Sequence, residues 1–147
     1  MDSDDEAGLD QQAEGVAAQP HVLIISPNST VLRLMGHFFP HAGYPNVTRA
    51  YGIPAALDAL QNGVPDLFVF HWTGTGDLEV PIRFLQQLHE RYPDVGIMVV
   101  TAWFHVTTAS LYEHFGLPVR SVLPLPFGLT DVRRAFEAAL GEATTPP

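Results

Sequence analysis

The chain has no cysteine and no lysine among its 147 residues. Without a thiol there is no thiolate nucleophile, no disulfide and no cysteine-ligated zinc or iron–sulfur centre. Without a primary amine side chain, Schiff-base catalysis is excluded, as is any role that needs a compact ammonium charge. All seven basic residues are arginines. Apolar runs are also short, falling well below the ~20 residues needed to cross a bilayer. The first twenty residues hold six acids and no Lys or Arg, the reverse of a secretory leader. The expectation is a cytoplasmic chain with no membrane contact.

Positive charge is scarce wherever the chain is cut. The net charge of -9 is concentrated at the start, with Asp2, Asp4, Asp5, Glu6, Asp10 and Glu14 in the first fourteen residues, whereas the rest carries ten acids against seven arginines. A phosphate backbone is bound through clustered cations that displace counterions, and no such stripe is present, so nucleic acid is not an expected partner. Residues 1–19 combine acids with Gln, Ala and Gly and few large apolar side chains. Such a composition does not offset the entropy of ordering, and an acidic disordered tail is expected. Residues 20–142 form one domain in this reading, followed by a short disordered tail over residues 143–147.

Within the domain, short apolar runs alternate five times with longer segments of helical spacing. The runs predict strands over His21 to Ser26, Asn46 to Ala50, Asp66 to His71, Val95 to Thr101 and Val119 to Pro124. Most are continuously apolar, as parallel strands covered on both faces are. Asn28, Ser29 and Thr30 are capping residues that open a first helix, whose core face is predicted to carry Val31, Leu34, Met35 and Phe38. Pro54 and Pro81 mark the first turns of the second and third helices, the third burying Ile82, Leu85 and Leu88. The fourth starts near Thr107, offers Leu111 and Phe115 and stops at Gly116; the last buries Val132, Phe136 and Leu140. A βα unit repeated five times predicts a doubly wound α/β sheet with right-handed crossovers. Ligands of such sheets bind beyond the carboxyl ends of the strands. That directs attention to Ser26, Pro27 and Asn28, His71 to Asp77, Thr101 to His105, and Leu125 to Phe127.

Several chemistries can be weighed at those positions. His71 and His105 with Asp77 or Glu79 would make a two-histidine, one-carboxylate set suited to iron or zinc. His37 and His41 come closest to the i, i+4 pair of a helical zinc site, but Pro40 lies between them, where proline is expected to break the helix. No metal or other cofactor is expected. Gly74-Thr75-Gly76-Asp77 is neither a P-loop nor a dinucleotide fingerprint and reads as a permissive βα loop. No Gly-x-Ser-x-Gly elbow supports a hydrolase. Trp72, Trp103 and Phe104 stand at the crevice mouth, either closing over it or offering an anchor to a partner, and with Arg120 they are residue types that dominate interfaces.

Taken in order, four segments carry a resemblance. His21 to Arg33 reads His-Val-Leu-Ile-Ile-Ser-Pro-Asn-Ser-Thr-Val-Leu-Arg, and Pro65 to Trp72 reads Pro-Asp-Leu-Phe-Val-Phe-His-Trp. They are followed by Val99-Val100-Thr101-Ala102 and Leu123-Pro124-Leu125-Pro126-Phe127. From about residue 21 to residue 141 the sequence resembles the receiver domain of two-component response regulators. The resemblance implies a flavodoxin-like sheet in strand order 2-1-3-4-5. It also implies that Ser26 and Pro27 stand where receivers carry two adjacent acids, His71 where they carry the phosphoacceptor aspartate, and Leu125 where they carry a lysine. Thr101 alone keeps its family identity. A hydroxyl, a proline ring and an imidazole are a poor donor set for Mg²⁺, which prefers carboxylate and water oxygens, so no Mg²⁺ is expected. Phosphoryl transfer also needs cations to neutralise the transferring oxygens, and the lysine is gone.

The implied reading is a pseudo-receiver that signals by binding a protein partner, or by homodimerising, without phosphorylation and without enzymatic activity. Receivers dock through the face of their fourth helix, fifth strand and fifth helix, which here implies Tyr112, Val122 and Arg134. His71 is expected to fill the vacated site as a packing or hydrogen-bonding residue, with Thr101 or a loop carbonyl as partner. The alternative is a sensor that takes a small ligand or metal into the remodelled crevice.

Overall fold

A computed structural model of the protein describes residues 19–74 and 78–141. The expected tails, apart from Gln19, lie outside these residues, as do Thr75, Gly76, Asp77 and Glu142. Five strands, β1 (Val22–Ser26), β2 (Val47–Tyr51), β3 (Leu67–Trp72), β4 (Gly96–Thr101) and β5 (Ser121–Pro124), pair in parallel in the order β2-β1-β3-β4-β5. Between and after them run α1 (Ser29–His41), α2 (Gly52–Leu60), α3 (Glu79–Arg91), α4 (Thr108–Phe115) and α5 (Leu129–Leu140). This is the doubly wound, flavodoxin-like sheet expected from the βα alternation. The predicted second strand is displaced by one residue toward Tyr51, and the fifth starts at Ser121 rather than Val119.

The inner strands β1, β3 and β4 are buried at every position, because both faces of the sheet are covered. Alternation divides their side chains between two cores. Leu23, Ile25, Phe68, Phe70, Ile97 and Val99 face α2, α3 and α4 through Ala56, Phe84, Leu85, Leu88 and Leu111. Val22, Ile24, Leu67, Val69, Met98 and Val100 face α1 and α5 through Met35, Phe39, Val132 and Phe136. In the second core Phe136 meets Phe39 edge-on at 4.9 Å and stacks on Tyr44 at 4.0 Å. Aromatic pairs in those geometries add to the area they bury.

Helix ends follow their chemistry. Asn28 accepts the Val31 amide at 2.9 Å and caps α1, Thr107 and Ser110 form a capping box at α4, and Gly116 ends α4 at φ 66°. Pro54 and Pro81 each stand third in their helices, where the amide they lack would have had no helical acceptor.

Two expectations are corrected. The core face of α1 runs through Leu32, Met35 and Phe39, whereas Leu34 is exposed and Val31 and Phe38 are only partly covered. Both sets share the helical period, and only the position of α5 selects the face that is buried. Likewise α1 does not break at Pro40 but continues to His41, because Pro40 lies in its last turn, where only one helical hydrogen bond is lost. Truncating Phe39, on the buried face of α1, to Ala is expected to lower stability by about 3–5 kcal/mol. Leu34→Ala is expected to change it by no more than about 0.5 kcal/mol. Denaturant midpoints of the two variants test which face of α1 is core.

Candidate functional site

At the carboxyl edge of the sheet, β1 ends in Ser26 and β3 carries His71 one residue before its end. Alternation places both on the α1 and α5 side, where Ser26 is fully buried and His71 is 8% exposed. The Ser26 Oγ and His71 Nδ1 are 2.9 Å apart. The same hydroxyl lies 3.1 Å from the Asn28 carbonyl oxygen and 3.0 Å from the Asn28 amide. A carbonyl only accepts, so the hydroxyl proton goes to Asn28 O, and the hydroxyl oxygen accepts from both the Asn28 N–H and the His71 Nδ1–H. That arrangement satisfies all three contacts at once and leaves His71 Nε2 with its lone pair. A buried imidazole without such a partner would cost about 1–3 kcal/mol.

Thr101 is buried but sits in register with Trp72, one position beyond the Val100 that pairs with His71, and so faces the opposite side of the sheet. Its Oγ1 accepts the Trp103 amide at 3.1 Å and shapes the turn after β4. The expected partner of His71 is therefore corrected: Ser26 holds the imidazole, and the loop carbonyl at Asn28 is reached only through the serine. Leu125, in the position where the resemblance implies a lysine, is half-buried and packs against the second core. Pro27 is exposed at the rim.

These donors do not fit Mg²⁺. No carboxylate stands at the four positions that resemble the receiver pocket, and the Ser26 hydroxyl is already saturated by Asn28 and His71. Among the described residues no three His, Asp or Glu side chains gather around a common point. The His71–His105–Glu79 combination is not assembled: Glu79 pairs with Arg83 at 2.6 Å, and His105 is exposed against the edges of Trp103 and Phe104. Asp77 lies outside the described residues.

The aromatic residues at the mouth divide into three roles. Trp72 is only 5% exposed and packs on Phe115 at 5.9 Å, so its place in an interaction surface is corrected to a place in the core. Its position on β3 faces α4, and the pleat gives it no outward alternative. Trp103, 42% exposed, donates from Nε1 to the Thr73 carbonyl at 2.7 Å and lies across Gly74. Phe104 is 92% exposed. Arg120 lies at the other end of the sheet, where its guanidinium donates to the Ala139 carbonyl at 2.9 Å and the Asp94 carbonyl at 3.4 Å. It ties the end of α5 to the loop before β4 and does not join the crevice aromatics. Val122 is partly covered within the first core, while Tyr112 and Arg134 are exposed as expected. Composition flagged Arg120 as an interface type, but nothing local reveals that a carbonyl in the last turn of α5 and one in the loop before β4 already take its protons.

A recess of about 440 Å³ beside His71 is lined by Pro27, Trp72, Thr73 and Gly74, which the sequence singled out at the strand ends, and by Ile53, Leu78 and Val80, which it did not. Its lining comes from four separate segments, and no single stretch carries a signal for it.

Two measurements follow from this geometry. Burial lowers the His71 pKa from its ordinary 6.5. The unfolded chain therefore takes up the proton first as pH falls, so His71 contributes stability above about 6.5 that is lost as pH drops through the lowered folded value. His71→Asn, which retains an amide donor toward Ser26, is expected to flatten that part of the stability–pH curve in denaturant titrations. At Gly74, with φ 75°, an added Cβ would overlap the Trp103 indole. Gly74→Ala is expected to displace Trp103 and red-shift tryptophan emission without unfolding the sheet.

No family model matches the sequence, and no match is found among curated proteins. Solved structures do match. The signal receiver domain of an HD domain-containing protein from Pseudomonas fluorescens superposes with a TM-score of 0.69 at 16% identity, covering 88% of this chain and 100% of that one. Chemotaxis protein CheY4 of Vibrio cholerae gives 0.68 at 18% identity, covering 84% and 100%. A Burkholderia pseudomallei protein named as pilus-assembly-related gives 0.67 at 20% identity, covering 84% and 91%. At such identities the likeness speaks for the fold, and the fold of this chain is the flavodoxin-like, CheY-type receiver fold.

Proposed function

We propose that this protein is a receiver-like signalling module that works without phosphorylation, through protein–protein interaction, and is not an enzyme. The observation that carries this reading is the 2.9 Å Ser26–His71 hydrogen bond, which fills with neutral groups the positions where receivers resemble one another in carrying acids. A receiver pocket gathers carboxylates around a cation and answers a phosphoryl group with an ammonium. In this chain the corresponding side chains are a hydroxyl, an imidazole and an aliphatic leucine packed against the core. A dianionic phosphoryl group there would have no metal and no lysine to neutralise it.

Binding is then the remaining mode of action, and the surface offers anchors for it. Phe104 and Tyr112 are large, exposed and close in sequence to Trp103, and Arg134 stands exposed on α5. Aromatic and arginine side chains dominate the energetics of interfaces. No helix among the described residues is long and apolar enough to cross a membrane, and the body of the domain carries no basic stripe for nucleic acid.

A second reading is favoured by the recess beside His71. Its volume lies within the range of small-ligand pockets, about 300–1,000 Å³, and its walls are mostly apolar. In that reading a small ligand, not a partner, sets the conformation of the loops around it.

Amide NMR separates the possibilities. Adding a phosphodonor, or Mg²⁺ with beryllofluoride, is expected to leave the resonances of Ser26, His71 and Thr101 unmoved; saturable shifts there would sink the phosphate-independent reading. For binding, Phe104→Ala and Tyr112→Ala are expected to weaken capture of the partner by at least about tenfold, the loss typical of an interface anchor. Unchanged capture by both variants would place the interaction elsewhere and overturn this surface.

A further inference from the structure

The continuation of α1 through Pro40 brings together two side chains that the proposed function does not use. His37 and His41 stand at i, i+4 on the last turn, both exposed, with ring centroids 4.8 Å apart. We propose that this pair is a two-imidazole chelate for one late first-row divalent cation, of the kind represented by zinc.

Four features support the assignment. First, residues at i and i+4 of a helix lie one above the other on the same face, as in helical zinc sites that present two imidazoles to one metal. Second, His41 Nδ1 lies 2.9 Å from the His37 carbonyl oxygen, which can only accept. The proton is therefore on Nδ1, and Nε2 keeps a lone pair for a metal. Ligating histidines characteristically donate their second ring nitrogen to a carbonyl or carboxylate in this way, which fixes ring orientation and raises basicity. Third, the pair sits toward the carboxyl end of a helix of thirteen residues, where the helix dipole favours a cation. Fourth, Pro40 fixes its own φ between the two histidines and removes freedom from the turn that carries them.

The donor set also defines the class of ion. Imidazole nitrogens suit zinc, copper, nickel and cobalt, whereas Mg²⁺ and Ca²⁺ require oxygen ligands. Among the described residues no carboxylate or further histidine completes a set of three, so water fills the remaining positions. Arg33, one turn before His37, is the nearby charge on α1 that opposes a cation, and it too is exposed. His114 makes the same bond to its own helix, to the Ser110 carbonyl at 2.9 Å, but has no second histidine at i, i+4 and serves as the internal control.

The test is a calorimetric titration of the full chain, without a polyhistidine tag, with ZnCl₂ at neutral pH, alongside NMR of the imidazole ring resonances. One saturable site is expected, with the His37 and His41 ring signals moving together and Mg²⁺ producing no such shift. Each of His37→Gln and His41→Gln is expected to weaken binding at least about tenfold, while His114→Gln leaves it unchanged. These positions are on the surface, so circular dichroism of the variants should match the parent. Zinc affinity no tighter than ~1 mM would overturn the proposal. So would equal affinity in the parent and both histidine variants, which would assign the metal to another part of the chain, such as the acids of residues 2–14.

Discussion

The constraint on which this structure turns is that β3 runs through the middle of a sheet covered on both faces. Every side chain from Leu67 to Trp72 is withdrawn from water. Five of the six are apolar or amphipathic and need nothing more. The sixth, His71, carries its ring Nδ1 into that environment, and a buried polar atom without a partner is among the more expensive defects a fold can hold. Ser26 answers it from the neighbouring strand and is in turn held by the backbone of Asn28, whose side chain caps α1. One hydrogen-bonded unit thus joins the end of β1, the start of α1 and the end of β3. No buried side-chain nitrogen or oxygen among the described residues is left without a partner.

That unit changes the character of the crevice. In a carboxylate pocket, like charges repel unless a cation separates them, so occupancy by metal and phosphoryl groups is built into the electrostatics. Here the groups are neutral, and burial holds the imidazole neutral over more of the acidic range. In the proposed reading, a link between this site and the loops runs through packing. Trp103 supplies such a link: its indole is bonded to Thr73 and lies over Gly74, while its amide is bonded to Thr101. The turns after β3 and β4 are tied together by one side chain, beside the exposed Phe104.

Legibility from sequence varied with how local the controlling physics was. The apolar runs of β1, β3 and β4 announced strands covered on two sides, because burial on both faces leaves no polar alternation. Asn28, Thr107 and Gly116 announced helix ends, because capping is decided within three or four residues. The face of α1 was less legible: Val31, Leu34, Met35 and Phe38 have the same spacing as Leu32, Met35 and Phe39, and the choice rests with α5, a hundred residues away. Pro40 illustrates the same limit. A proline inside a helical pattern signals a break, yet in the last turn it removes a single hydrogen bond, and the length of the helix decides the outcome.

Of the site, the residue identities were readable and the contacts were not. Legible without any structure were the absence of lysine and cysteine, the absence of acids at the predicted strand ends, and a βα repeat that brings those ends to one edge. Those are properties of composition and short-range periodicity. Only in the folded chain does His71 meet Ser26 and not Thr101, Trp72 enter the core, and Arg120 act as a clamp at the far end of the sheet. The physical reason is the pleat and register of a parallel sheet. Whether two side chains share a face depends on which strands are neighbours and how they are aligned, and a shift of one residue exchanges the two faces.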